Sequence, residues 1–440
     1  MKIFKDGIYA SLDVVFAPLF LVIATPFFIY KLGIDNYGLW VLINSIVASL
    51  SLFNFGINET VIKYVALYKK EKNLLQQQKV FSSIVSFQVL MAIAAMVVML
   101  LLFVINKIGS PKDLNQIILI LLFAVPLFFI RQIEQALFAL HKAYEDFKYM
   151  VKQSFVSKLL FYSSQLLAVF LYESVLSIFQ LSVTVSFIYL CIQFYLLKSK
   201  YNNIFSLKLA SKDTFKSVFK GYGKWAWLSS TASIVNSNID KWFVSASLGL
   251  TVFGYYSLGV LILNQLHTII SASISWIFPK ISSNELEEKT QIKFHLNLTL
   301  FVSLIGLLAS LMLVNMDFLF IAWLGEETFS NSRTFIHVFL YLLPVWLMSS
   351  VSYYYLLGLG AVKQKFYLDI IVLSIKVGLL YIILILIKQD NSTWPIYYLI
   401  PIFAEIILYT IILYKKIKLK LFYLFLLAFF NVMLLVFRYF

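Results

Sequence analysis

Apolar residues in this chain come in long runs separated by short polar gaps, and each run approaches or exceeds the ~20 residues a helix needs to cross a bilayer. Runs at 8–30, 38–68, 80–106, 114–140, 150–172 and 174–197 fill the first half. Runs at 218–248, 252–279, 294–324, 331–358, 366–387 and 393–414 fill the second, and Leu421–Phe437 adds one more. The pattern predicts an all-α integral membrane protein of twelve transmembrane helices, thirteen if the last run also crosses. The longest gap, Lys198–Ser217, falls between the halves. It defines a six-helix lobe at 1–197, a cytoplasmic linker at 198–217, a second six-helix lobe at 218–414, and a basic turn with the extra apolar segment at 415–440.

The two halves share a local pattern. LGIDNYGLWVL at Leu32–Leu42 aligns with LGLTVFGYYSL at Leu248–Leu258 at an offset of 216 residues, matching both glycines and placing aromatics at Tyr37 and Phe253 and again at Trp40 and Tyr256. Glycine punctuates many turns between apolar helices, but here the same turn follows the first apolar run of each half. That placement indicates two pseudo-symmetric bundles, a transporter-like organisation. Six spans separate the repeats, so both halves enter the membrane in the same direction.

Composition supports the same class. With 61% hydrophobic and 13% charged residues, a chain of 440 has too little polar surface to cover a soluble globule. The net charge of +15 does not point to nucleic acid, because the bases sit in short gaps rather than on one water-exposed domain. The single cysteine, Cys191, excludes an intramolecular disulfide and argues against a redox or zinc motif. The N-terminal segment MKIFKDGIYASLDVV continues into its apolar run without a small-residue cleavage site, so it reads as a retained first span.

Charge does settle orientation. Gaps on the N-terminal side hold 24 of the 36 Lys and Arg residues, opposite gaps six, and putting the basic side inward makes the N-terminus and the linker cytoplasmic. The basic loops themselves are topology determinants before they are lipid-binding sites.

The other six bases, Lys63, Arg131, Lys158, Lys224, Lys241 and Lys376, fall inside runs, with acids at Asp13, Glu59, Glu134, Asp240, Asp317, Asp369 and Glu405. Lys63 and Lys224 lie close enough to their helix ends to snorkel, and Asp317 and Asp369 are also near ends. Arg131 stands ten residues from His141, roughly 15 Å deep at ~1.5 Å per residue. Two readings of it stand side by side: a pathway cation, or a structural partner of Glu134 one turn away. Lys376 and Glu405 are placed to pair with each other near mid-span. Polar stripes at helical spacing run through Asn44, Ser51, Asn54 and Asn58, through Ser229, Ser233, Asn236 and Asp240, and through Asn264, His267, Ser271 and Ser275. They suit a wet cavity lining, with bonding between helices as the alternative.

No catalytic constellation is present: the four histidines occupy separate segments, and neither a glycine-rich phosphate loop nor a nucleophile elbow occurs. No cofactor is expected, and His267 reads as a cavity hydrogen-bonder.

LGIDNYGLWVL together with FNFGINETVIKYVA at Phe53–Ala66 resembles the signature of bacterial polysaccharide-exporting flippases of the O-antigen (Wzx) type, in the multidrug, oligosaccharidyl-lipid and polysaccharide exporter superfamily. NIDKWFVSASLGLTVFGYYSLGVLI at Asn238–Ile262 is similar to the seventh and eighth helices of that family. The resemblance implies two six-helix lobes around a central cavity in the bacterial inner membrane. It further implies export of an undecaprenyl-diphosphate-linked oligosaccharide from the cytoplasmic to the periplasmic leaflet, in contact with membrane lipids, the polysaccharide polymerase and a chain-length regulator.

The family carries no strict motif for the contacts. From depth and polarity, Arg131, Lys158, Lys241, Lys376, Asn54, Asn58, Asn236, Asn264 and His267 are the candidates for diphosphate and sugar. Asp13, Glu59, Glu134, Asp240 and Glu405 are the candidates for coupling to a proton or sodium ion. A drug or cation antiporter would share the fold but favour an acidic cavity without mid-membrane bases. A membrane polymerase or glycosyltransferase would need a long outer loop that this chain lacks.

Overall fold

In the computed structural model the described residues are 2–50, 57–106, 112–201, 222–274, 281, 288–386 and 394–417, with some side chains at helix ends, including 2–15, 57–60 and 222–226, lying outside the description. The expected thirteenth span at 421–437 and most of the linker fall outside it. Every regular element among the described residues is helical. In chain order they are α1 (Lys2–Ser49), α2 (Ile57–Lys70), α3 (Leu74–Asn106), α4 (Lys112–Ala143), α5 (Phe147–Tyr172), α6 (Val175–Lys200), α7 (Tyr222–Ile274), α8 (Glu288–Val314), α9 (Asp317–Leu324), α10 (Glu326–Gly358), α11 (Val362–Leu380) and α12 (Leu399–Ile417). A π-helical turn, Tyr381–Leu386, extends α11, and a 3₁₀ turn, Trp394–Tyr398, leads into α12.

Among the described residues ten helical segments are long and apolar enough to cross a membrane. The count is two below the expected twelve because one of these segments in each half is a pair of helices that meet at a glycine with non-helical backbone, where two spans were expected. Phe16–Ser49 has 34 residues and Trp227–Ser271 has 45, which as straight rods would reach about 51 and about 67 Å against a ~30 Å hydrocarbon core. Both are broken at the glycine of the repeat. Gly33 has φ 76 and ψ 163, and Gly249 has φ 79 and ψ 174, a backbone region essentially reserved for glycine. The sequence repeat is therefore a repeated kink. Its aromatics turn inward in each unit: Tyr37 and Phe253 are buried, and so are Trp40 and Tyr256. The expected run 294–324 is also divided, because α8 ends at Val314 and the turn at Asn315 and Met316 starts the short α9.

The chain separates into two compact units, Met1–Trp227 and Leu228–Phe440. In the first, Val61 and Val65 of α2, Phe81 of α3, Leu137 and Leu140 of α4 and Leu190 and Leu197 of α6 form a buried core. In the second, α10 is the central rod, with Ile336, Leu340, Leu343, Leu347 and Val351 excluded from the surface. Small residues let neighbours approach it: a Cβ on Gly259 of α7 would lie 2.8 Å from the Phe335 carbonyl oxygen. By contrast, α3 exposes Leu90, Ile93, Val97 and Leu101, an apolar face suited to lipid.

Candidate functional site

In the first unit the intramembrane charges meet between α4 and α5. Arg131 and Glu134 share a helical face at a spacing of three, which brings Nη1 to 2.9 Å from Glu134 Oε2. The same nitrogen donates to Ser157 Oγ of α5 at 2.6 Å, and that hydroxyl donates to Glu134 Oε1 at 2.8 Å. The guanidinium lies 4.0 Å from the Phe161 ring centre. The side chain of Glu134 is 1% exposed, whereas that of Arg131 keeps 24%, so the carboxylate is sealed and the base is open on one side. Lys158 follows Ser157 on α5 and is partly buried.

In the second unit Asp317 pairs with Arg333 at 2.6 Å, and two further ion pairs lie on α11. Lys376 of α11 donates to Asp240 Oδ1 of α7 at 2.9 Å and to the Asn236 carbonyl at 2.6 Å, not to Glu405 as expected. The choice follows from geometry: Asp240 and Asn236 are one turn apart on α7 and present two oxygens to one ammonium. Tyr256, beyond the Gly249 kink, donates to Asp240 Oδ2 at 2.6 Å and lies 3.0 Å from the Tyr398 hydroxyl. The kink therefore folds α7 so that its second arm caps a carboxylate on its first. Lys241 donates to Asn238 Oδ1 at 3.0 Å and forms no ion pair with a carboxylate among the described residues.

The second pair was not legible as a site. Lys365, grouped by sequence with an inner basic gap, is buried on α11, 2.6 Å from Asp369 Oδ2 one turn later. It also donates to Ser229 and Ser233 of α7 at 3.2 and 3.1 Å. The spacing of four between Lys365 and Asp369 was the available signal.

The polar stripe Ser229, Ser233, Asn236 and Asp240 thus faces α11 within its own unit. His267 lies 2.7 Å from Ser350 Oγ of α10 and stacks on Trp346, while Asn264 is partly buried on α7. Asn54 lies outside the described residues, as do the side chains of Asp13, Asn58 and Glu59. Among the described residues no cluster of His, Cys, Asp or Glu could hold a metal.

At the α4–α5 turn Asp146 pairs with Lys200 of α6, and Tyr201 donates to it at 3.3 Å. Burial pushes the Asp146 carboxyl up, but the Lys200 hydrogen bond and charge outweigh this and hold it below the usual range. Burial, with the Asp146 charge behind it, raises the Tyr201 phenol.

Residues 3–285 match the family described as polysaccharide biosynthesis protein. The chain belongs to the polysaccharide biosynthesis protein family. Within reach of it, a Shigella flexneri protein that carries the provisional name O-antigen transporter is 23% identical over 358 residues, 77% of this chain and 81% of that one. Among solved structures, a MOP superfamily transporter from Pyrococcus furiosus, described by the reversed polarity of its binding pocket, superposes with a TM-score of 0.61 at 14% identity over 94% of this chain and 96% of its own. An outward-facing multidrug resistance MATE transporter gives 0.62 at 13% identity over the same shares. This polysaccharide biosynthesis protein is therefore a multi-pass membrane protein with the MOP transporter fold.

Proposed function

We propose that the protein is a flippase that moves an undecaprenyl-diphosphate-linked oligosaccharide repeat unit from the cytoplasmic to the periplasmic leaflet of the bacterial inner membrane by alternating access. Family membership and the O-antigen transporter relative support the substrate class. The observation that carries the reading is the balance of open charge. Glu134, Asp240 and Asp369 are each neutralised by a base of their own unit, while Arg131 keeps an open side and Lys241 keeps no carboxylate. The exposed side of Arg131 and the ammonium of Lys241 are cationic, which suits a diphosphate and repels a cationic drug.

Moving sugars and diphosphate through hydrocarbon without replacement partners costs several kcal/mol per polar group. In this reading Arg131 and Lys158 in the first unit, and Lys241 in the second, are the cations each unit offers to the diphosphate. Asn236, whose side-chain oxygen is buried without a hydrogen-bond partner, Asn264 and His267 meet the sugars. The polyprenyl tail stays in lipid, and a coupling ion, proton or sodium, replaces any cofactor.

The second reading, a cation antiporter, draws on the MATE-like fold. A deletion strain without a substitute flippase separates them. Surface glycan should be lost while lipid-linked repeat units accumulate in the inner leaflet, with drug susceptibility unchanged. Normal surface glycan would overturn the flippase, and failure to make the lipid-linked unit would indicate an enzyme.

A further inference from the structure

Along α4 from the Arg131–Glu134 pair, the first unit encloses a small cavity between α4, α5 and α6, lined by Phe138, His141, Tyr149, Gln153, Gln193 and Leu197. It admits a molecule the size of water and little more. Its wall is polar although it lies inside a bundle: His141, Gln153 and Gln193 are 4%, 8% and 5% exposed. Hydrogen bonds fix the roles of their atoms. Tyr201 donates to Asp146 Oδ2 at 3.3 Å, so its oxygen takes the proton of His141 Nδ1, also at 3.3 Å, and the ring's Nε2 is left as a bare acceptor. Tyr189 donates to Gln153 Oε1 at 2.6 Å, which leaves Nε2 as the donor of that amide. Both amide atoms of Gln193 are buried without a hydrogen-bond partner among the described residues.

We propose that this cavity is a binding site for one water molecule, which accepts from Gln153 Nε2 and donates to His141 Nε2 and to Gln193 Oε1. A buried polar group without a partner is costly, and a small cavity with polar partners on three helices is where water binds in a protein interior. Tyr189, one turn from Gln193 on α6, cannot take its place: its proton goes to Gln153, so it can satisfy the nitrogen of Gln193 but not the oxygen. The water joins two sets of polar groups. On one side is the chain Asp146, Tyr201 and His141, which starts at the partly exposed turn between α4 and α5. On the other are Gln153 and Tyr189, and Gln153 lies one turn along α5 from Ser157, which donates to Glu134. The first unit thus carries a hydrogen-bonded path from its surface to within one helical turn of the hydroxyl that holds its sealed carboxylate, and the path runs through the water. It does not depend on which substrate is moved.

Radiolytic footprinting of the purified, lipid-reconstituted protein tests this, because X-rays split a bound water in place and the radicals oxidise the side chains around it. Phe138 should be oxidised severalfold faster than Phe81, a buried phenylalanine in the apolar core of the same unit. Gln193→Leu removes one partner of the water and should bring Phe138 down to the rate of Phe81. Gln193→Asn keeps an amide at the wall and should keep the excess. Thermal unfolding is the second reading: Gln193→Leu should unfold at a lower temperature, since His141 and Gln153 lose the partner they share. The proposal is overturned by Phe138 reacting no faster than Phe81 in the wild type, or by an excess that persists in well-folded Gln193→Leu. A higher unfolding temperature for Gln193→Leu, the result for a dry amide replaced by an apolar side chain, overturns it as well. If Gln193→Leu fails to fold, the wild-type ratio and Gln193→Asn decide, and loss of the excess in Gln193→Asn counts against the water.

Discussion

Arg131→Ala tests how the first unit tolerates its buried charge. Glu134 is sealed in the α4–α5 interface and receives bonds from Arg131 and Ser157. Truncating the base leaves that carboxylate with one hydroxyl donor, and stranding one member of a buried pair costs about 3–5 kcal/mol. Because Arg131 is 24% exposed, the lower end applies, about 3 kcal/mol, roughly a hundredfold in the folding equilibrium. The double change Arg131→Ala with Glu134→Gln removes both charges while the amide still accepts from Ser157. It should return to within about 2 kcal/mol of wild type, the remainder being the lost contact with Phe161. Thermal unfolding in detergent and membrane abundance measure this. A wild-type unfolding temperature for Arg131→Ala would refute the reasoning, as would a double variant no more stable than the single. Surface glycan separates support from transport. The double variant should fold yet export poorly if Arg131 also meets the diphosphate, and full export would confine Arg131 to the pair.

Gly33→Ala and Gly249→Ala should each lower stability by about 1–3 kcal/mol although no atom lies within 4 Å of the added methyl, because the cost is backbone strain. Helical Gly378→Ala, equally unobstructed, should be neutral or stabilising, so equal unfolding temperatures for all three would contradict the kinks. The lowered Asp146 carboxyl contributes stability that is present above its unfolded pKa of about 4 and lost as pH falls through the folded value. Its exposed pairing with Lys200 limits this to under about 1 kcal/mol, and unfolding of Lys200→Met should show a shallower acid slope. A reporter fusion at Ser206 should be silent for alkaline phosphatase, and activity there would reverse the topology.

The spans and the kinks were legible because both are local. An apolar run announces a helix in lipid, and a glycine that must take positive φ marks its own position, so Gly33 and Gly249 stand out in the two repeats. How closely the two helices on either side of each glycine follow one another was not legible, since a run of residues does not say how tight a turn is. Partner choice was less legible still. Helical spacing put Asp240 and Asn236 on one face but could not say that α11 lies opposite, so Lys376 was matched to Glu405 at similar depth. Lys365 was hidden by its neighbour Lys363 and the nearby gap. Only packing distinguishes a lysine that faces water from one that turns between helices, as Lys365 does onto Ser229, Ser233 and Asp369.

The placement of these pairs bears on how a transport cycle can run. In the first unit, Arg131, Glu134 and Ser157 tie α4 to α5; in the second, Lys376 and Asp240 tie α11 to α7, and Lys365 repeats that link through Ser229 and Ser233. Each bond is internal to its unit. A motion that slid α11 along α7 would break the Lys376–Asp240 pair together with the bonds of Lys365 and Asp369 to Ser229 and Ser233, at several kcal/mol in a medium without water to replace the partners. Alternating access by rocking of whole units leaves every one of them intact. In the proposed flippase, conformational change is therefore cheapest where it leaves these internal bonds of each unit in place.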